Sequence, residues 1–180
     1  MEEDVHTRYV EKFELSSKPH GQPLCILTFK VRQVFSERDQ LYVTEVEVKH
    51  NQAEPHIMTL KFQVFRGVPR TTTIDNVLLP PSLRGHRLSI FVFHKIYGYL
   101  NDKVRQSLPM IRGALVEKDS SPNRDKMYHK LIGYGVDPKA LFDIDATGEG
   151  RFEGIFHDVG LSWQQSLTVT LLHSSSPNRV

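Results

Sequence analysis

The feature that most limits how this chain can fold is a change of hydrophobic period near Gly85. Before it, apolar and polar residues alternate. Leu27, Phe29 and Val31 are spaced by Thr28 and Lys30, and Leu60, Phe62 and Val64 by Lys61 and Gln63. Val46 and Val48 sit among Glu45, Glu47 and Lys49. Successive side chains of a strand point to opposite faces, so a period of two predicts a sheet with one face on a core. Turn-forming residues break the pattern at Ser36-Glu37-Arg38-Asp39 and at Asn51-Gln52-Ala53-Glu54-Pro55. Antiparallel strands are therefore expected over 23–34, 41–49 and 57–66. A fourth is expected over 71–79, opened by β-branched residues and ended by Pro80-Pro81. After Gly85, the residues Leu88, Phe91, Val92, Ile96 and Leu100 recur at three- and four-residue steps, which predicts a helix over 86–103.

Further on, Met110 to Val116 reads as a short strand. Ser120-Ser121-Pro122 is a helix start, because Ser can cap free amides and Pro tolerates the first helical turn. Met127 and Leu131 lie four apart, and Gly133 and Gly135 can end that helix. Two closing strands are expected at 141–144 and 167–172, with Asp145 to Gly150 as a loop, flexible at Gly148-Glu149-Gly150, and 174–180 as a disordered tail. The order is β-β-β-β-α-β-α-β-β. It describes a single α+β domain over 1–173, with a mixed, mostly antiparallel sheet and at least two packed helices. Its N-terminal strands occupy 1–70 and its second half 71–173. Neither an internal repeat nor a linker divides it.

Charge excludes some partners. The chain has 23 basic and 21 acidic residues among 180, a formal net charge of +2, and no basic stripe. A nucleic-acid partner is not expected from that balance. The start, Met1-Glu2-Glu3-Asp4, lacks the cationic character of a secretory signal, and the apolar stretch Leu88 to Phe93 is far shorter than a bilayer span. A cytoplasmic protein without a membrane segment is the expectation. Cys25, inside Leu24-Cys25-Ile26-Leu27, reads as a buried thiol rather than a nucleophile. The nine His show no metal-ligand spacing, so no metal is expected. Nothing in the sequence sets the oligomeric state.

Chemistry concentrates at Leu83-Arg84-Gly85-His86-Arg87-Leu88-Ser89, where a strand passes into a helix. The first turn of a helix leaves backbone N–H groups unpaired, and the macrodipole adds partial positive charge. With Arg84, His86 and Arg87 beside it, this turn is a candidate anion site. A plain strand-to-helix turn with solvated charges is the alternative.

The stretch Leu79-Pro80-Pro81-Ser82-Leu83-Arg84-Gly85-His86-Arg87-Leu88-Ser89 resembles the acetyl-coenzyme A loop of GNAT-type N-acetyltransferases. Pro81, Arg84 and Gly85 match; Arg87 stands where the family usually has a second Gly, and Ser89 where it has Gly or Ala. Downstream, the run from Ser121 to Tyr134 is similar to the family's last helix through Tyr128, Lys130, Leu131, Gly133 and Tyr134. Ser121 or Asn123 stands for its Asn, and Ile132 is a one-residue insertion. The likeness covers residues 71–172; the first 70 read as strands where the family has helices.

The resemblance implies a GNAT-like fold with a splayed parallel pair near 74–79 and 110–116, and acetyl-coenzyme A in the gap. Leu79, Arg84, Gly85, His86, Arg87, Leu88, Ser89, Ser121 and Asn123 would then line the cofactor. The acceptor would be an amine of a small molecule or protein. Tyr128 would be the general acid and Asp75 the general base, with His86 and His94 as alternatives. A catalytically inactive module on the same scaffold, engaging a protein partner, is the second reading. An unrelated α+β protein whose helix start binds a simple anion is the third.

Overall fold

The computed structural model describes residues 5–37, 41–51, 58–65, 68–77, 81–103 and 110–175. Its strands are β1 (Val5–Ser17), β2 (Pro23–Ser36), β3 (Leu41–His50), β4 (Met58–Phe65), β5 (Val68–Val77), β6 (Met110–Leu115), β7 (Leu141–Ile144), β8 (Gly150–Ile155) and β9 (Leu167–Ser175). The helices are α1 (Leu88–Lys103) and α2 (Pro122–Ile132). The strands form one sheet in the order β7-β8-β6-β5-β4-β3-β2-β1-β9. Neighbours run antiparallel, except that β5 meets β6 in parallel at Thr72↔Ile111 and Thr73↔Arg112. A parallel pair needs a crossover, and α1 supplies it. The protein is thus mixed α+β.

Alternation sets which face is buried. On β1, Phe13 and Leu15 point inward; on β2, Cys25, Leu27, Phe29 and Val31; on β3, Val46 and Val48. Phe91 of α1 meets Phe13 and Phe29 edge-on, with ring centroids 5.6 and 6.1 Å away. The quadrupoles of aromatic rings favour that geometry, at about 0.5–1.5 kcal/mol per pair beyond area burial. α2 rests on β8, where Tyr128 stacks on Phe152 at 4.4 Å. Gly154 permits that approach, since a Cβ there would lie 2.8 Å from the Ile132 Cβ. The opposite face of the sheet is polar: Arg32 bridges Glu45 at 3.2 Å and Glu47 at 2.9 Å, and Lys49 reaches Glu47 at 3.3 Å.

One charge breaks the pattern on the inner face. Glu11 is only 7% exposed. Its carboxylate accepts a hydrogen bond from the Tyr99 hydroxyl at 2.5 Å and faces the Lys95 ammonium at 3.5 Å. Lys95 in turn lies over the rings of Phe13 and Tyr99, at 4.8 and 5.2 Å. A buried charge persists only when paired and hydrogen-bonded, and these groups satisfy it. Burial, followed by the bond to Glu11, drives the Tyr99 hydroxyl far above its ordinary range.

Several expectations need correction. β1 and β8 were not anticipated, because Glu11 interrupts the apolar row of β1 and glycines thin that of β8. The closing pair after α2 is therefore β7 with β8, while β9 crosses to the far edge beside β1. Ser174 and Ser175 are not tail: they pair with Glu11 and Val10. The remaining expected tail, 176–180, lies outside the described residues. The loop after Asp145 is a tied turn rather than a flexible one. The Asp145 Oδ1 accepts from the Thr147 hydroxyl at 2.6 Å and from the amides of Thr147 and Glu149 at 2.8 and 3.1 Å. Among the described residues no helix is long and apolar enough to cross a membrane.

Two outcomes follow. Tyr99→Phe removes a donor from a buried carboxylate and should cost about 1–3 kcal/mol in urea unfolding. Burial pushes the Cys25 thiol up to about 11, so a thiol reagent near pH 8 should label it only after denaturation.

Candidate functional site

The strand-to-helix junction is held from both ends. A 3-10 turn, Pro81–Leu83, precedes Arg84 and Gly85, and α1 begins at Leu88 rather than at the expected 86. Leu83 and Leu88, each 1% exposed, anchor the turn in the core. Between them the backbone takes left-handed values twice, at Gly85 (φ 82°) and at Arg87 (φ 59°). Gly85 adopts this freely. Arg87 does so against a steric cost of about 1–2 kcal/mol. The glycine conformation is therefore present at the residue where the resembled family has a second Gly.

The Phe91 amide is bonded to the Arg87 carbonyl at 3.2 Å. The amides of Leu88, Ser89 and Ile90 precede it, so none has an intrahelical carbonyl to meet. A Cβ added at Gly85 would meet nothing within 4 Å, so the outer side of the turn is open. Arg84 is exposed and His86 half-buried. The turn can hold an anion through backbone donors and a local excess of positive charge.

Arg87 contributes less directly than the sequence implied. Its guanidinium donates to the Ser162 carbonyl at 2.9 Å and to the Gln165 Oε1 at 2.5 Å. It ties the start of α1 to the 3-10 turn Ser162–Gln165. Further along α1, the His94 Nδ1 and Asp158 Oδ1 are 2.8 Å apart, and Asp158 also accepts from the Gly160 amide at 3.0 Å. Trp163 packs on Phe91 at 4.9 Å, between these two ties. Asp158 had no sequence signal, because 64 residues separate it from His94.

The other expected residues divide. Ser121 caps α2, accepting from the Arg124 amide at 3.0 Å, and Asn123 is exposed within the same first turn. β5 and β6 run in parallel, so the helices that follow them start at the same end of the sheet. Tyr128 is 7% exposed, between Phe152 and Phe93, whose ring is 6.3 Å away. Asp75 falls where the β4–β5 register shifts, between Ile74 and Asn76. Leu79 lies outside the described residues. Among the described residues, no group of three or more His, Cys, Asp or Glu is placed to hold a metal ion.

The conformation of Arg87 can be tested by itself. Arg87→Ala loses the tie and keeps the strain, whereas Arg87→Gly loses the tie and relieves the strain. The Gly variant should be the more stable by about 1 kcal/mol in chemical denaturation. No protein-family model, curated protein or solved structure matches this chain.

Proposed function

We propose that this chain is a GNAT-like acyltransferase that moves an acetyl group from acetyl-coenzyme A to an amine of a small molecule or protein. The observation that carries the reading is the crossover from β5 through the Gly85–Arg87 turn and α1 to parallel β6. In sheets with parallel strands, ligands sit beyond the carboxyl ends of those strands. Here that end receives two helix starts, one from each strand of the pair.

Acetyl-coenzyme A, when bound, supplies an acetyl thioester and a diphosphate. The amides of Leu88, Ser89 and Ile90 suit the diphosphate, and the open side of Gly85 leaves room for it. Arg84 adds positive charge from the exposed side of the turn. The register shift at Asp75 is the kind of irregularity that re-aims a residue beside an active site. Asp75 is accordingly the residue assigned to take the proton from the acceptor amine. Tyr128 is assigned to return a proton to the leaving thiolate.

A specific observation favours a second reading. Tyr128 is stacked on Phe152 at 4.4 Å, the environment of a packing residue. In that reading the scaffold keeps the anion site, lacks acyl transfer and engages a protein partner. Fold does not choose between the two.

Acetyl-coenzyme A should raise the melting temperature through preferential binding to the folded state. Arg84→Glu should abolish that shift. Tyr128→Phe should lower turnover at least tenfold, about 1.4 kcal/mol of barrier, with the shift retained. Absence of any shift at high cofactor concentration would remove the acyltransferase reading. A shift without turnover would leave the inactive module.

A further inference from the structure

We infer that β9 is a dimerisation edge, on which a second copy of this chain pairs antiparallel about a two-fold axis through Val169. The two ends of the sheet differ. At one end β7 is four residues long and carries Asp143, with Asp145 just beyond it. Short length and inward or lateral charge are how sheets protect an edge from another strand. At the other end β9 runs nine residues, Leu167–Ser175, without Asp, Glu, Lys or Arg. Among the described residues it has β1 on one side and no strand on the other.

Hydrogen-bond phase shows which groups that edge offers. The Lys18 amide donates to the Ser166 carbonyl at 2.9 Å. From there the register is unbroken through Ser17↔Leu167, Ser16↔Thr168, Leu15↔Val169, Glu14↔Thr170 and Phe13↔Leu171. Bonded and non-bonded pairs alternate along an antiparallel ladder. Thr168 and Thr170 therefore spend their backbone groups on β1. Leu167, Val169 and Leu171 direct their N–H and C=O groups away from it, toward the free edge. The register shift comes only after Leu171, so the regular stretch is Leu167–Leu171.

That stretch reads Leu-Thr-Val-Thr-Leu, the same in both directions. Antiparallel pairing with a second copy about Val169 brings Val to Val, Thr168 to Thr170 and Leu167 to Leu171. The outward-directed residues fall on the bonded pairs of the new ladder. Like charges would face each other across a two-fold axis, and this stretch has none to repel. Cross-strand Thr–Thr and β-branched pairs are themselves favourable. Leu171 is 54% exposed in the single chain, whereas Leu167 is 1% exposed. The pairing sets each exposed Leu171 beside a Leu167 already in a core. A neutral, self-complementary edge selects a second copy over a foreign strand.

Sedimentation or light scattering across a dilution series tests this with the whole chain. The expected result is a two-chain mass at high concentration. Val169→Pro deletes an outward N–H at the axis, a substitution edge strands tolerate, and should raise the dissociation constant at least tenfold. Combined Thr168→Lys and Thr170→Lys change only exposed side chains and place like charges across the axis, so they should yield a monomer with an unchanged melting profile at low concentration. Thr168→Glu with Thr170→Lys restores opposite charges across the axis, sets the new lysine opposite Glu14 of β1, and should recover the dimer. A wild-type chain that stays monomeric overturns the inference. So does a dimer that persists with both lysines in place.

Discussion

Phe91 is where the layers of this protein meet. Its ring lies edge-on to Phe13 of β1 and Phe29 of β2, and to Trp163 of the segment that leads into β9. Phe13 and Phe29 also meet each other edge-on at 5.7 Å. A set of rings in this geometry fixes relative orientation as well as burying area, which aliphatic contacts do less well. The sheet, α1 and the 3-10 turn are registered to one another there. The turn at Gly85–Arg87, one helical turn earlier, inherits its position from that contact.

The same arrangement explains why polar ties cluster around α1. A helix placed across the sheet must be covered on its other side, and the chain between β8 and β9 does so. Tyr97 stacks on Phe156 at 5.5 Å, His94 meets Asp158, and Arg87 meets Ser162 and Gln165. These groups run along one side of the helix from its C-terminal half to its start. Arg87 is the costliest member, since it holds a left-handed backbone. Its two hydrogen bonds offset part of that cost.

Much of the scaffold was legible because one physical rule dominates it. Leu27, Phe29 and Val31 alternate with polar residues since one sheet face is wet, and the expected strand over 23–34 lies within β2. The helix expected over 86–103 was legible for the same reason in another period, though it starts two residues later at Leu88, and the Ser121 cap followed from the needs of free amides. β1 was illegible because Glu11 occupies an apolar position; its partners Lys95 and Tyr99 lie more than 80 residues away. β8 was illegible because Gly154 does its packing by having no side chain. At the site, the backbone donors were legible and the destination of Arg87 was not.

The sequence by itself determined the local periods, the turn at Gly85, the cap at Ser121 and the buried thiol of Cys25. Each depends on a residue's own backbone preference or on neighbours within a few positions. Only the tertiary structure decided that β9 returns to β1 and that Arg87, Phe91 and His94 face one segment. Those outcomes join positions tens of residues apart, where geometry of closure, rather than local preference, chooses the partner.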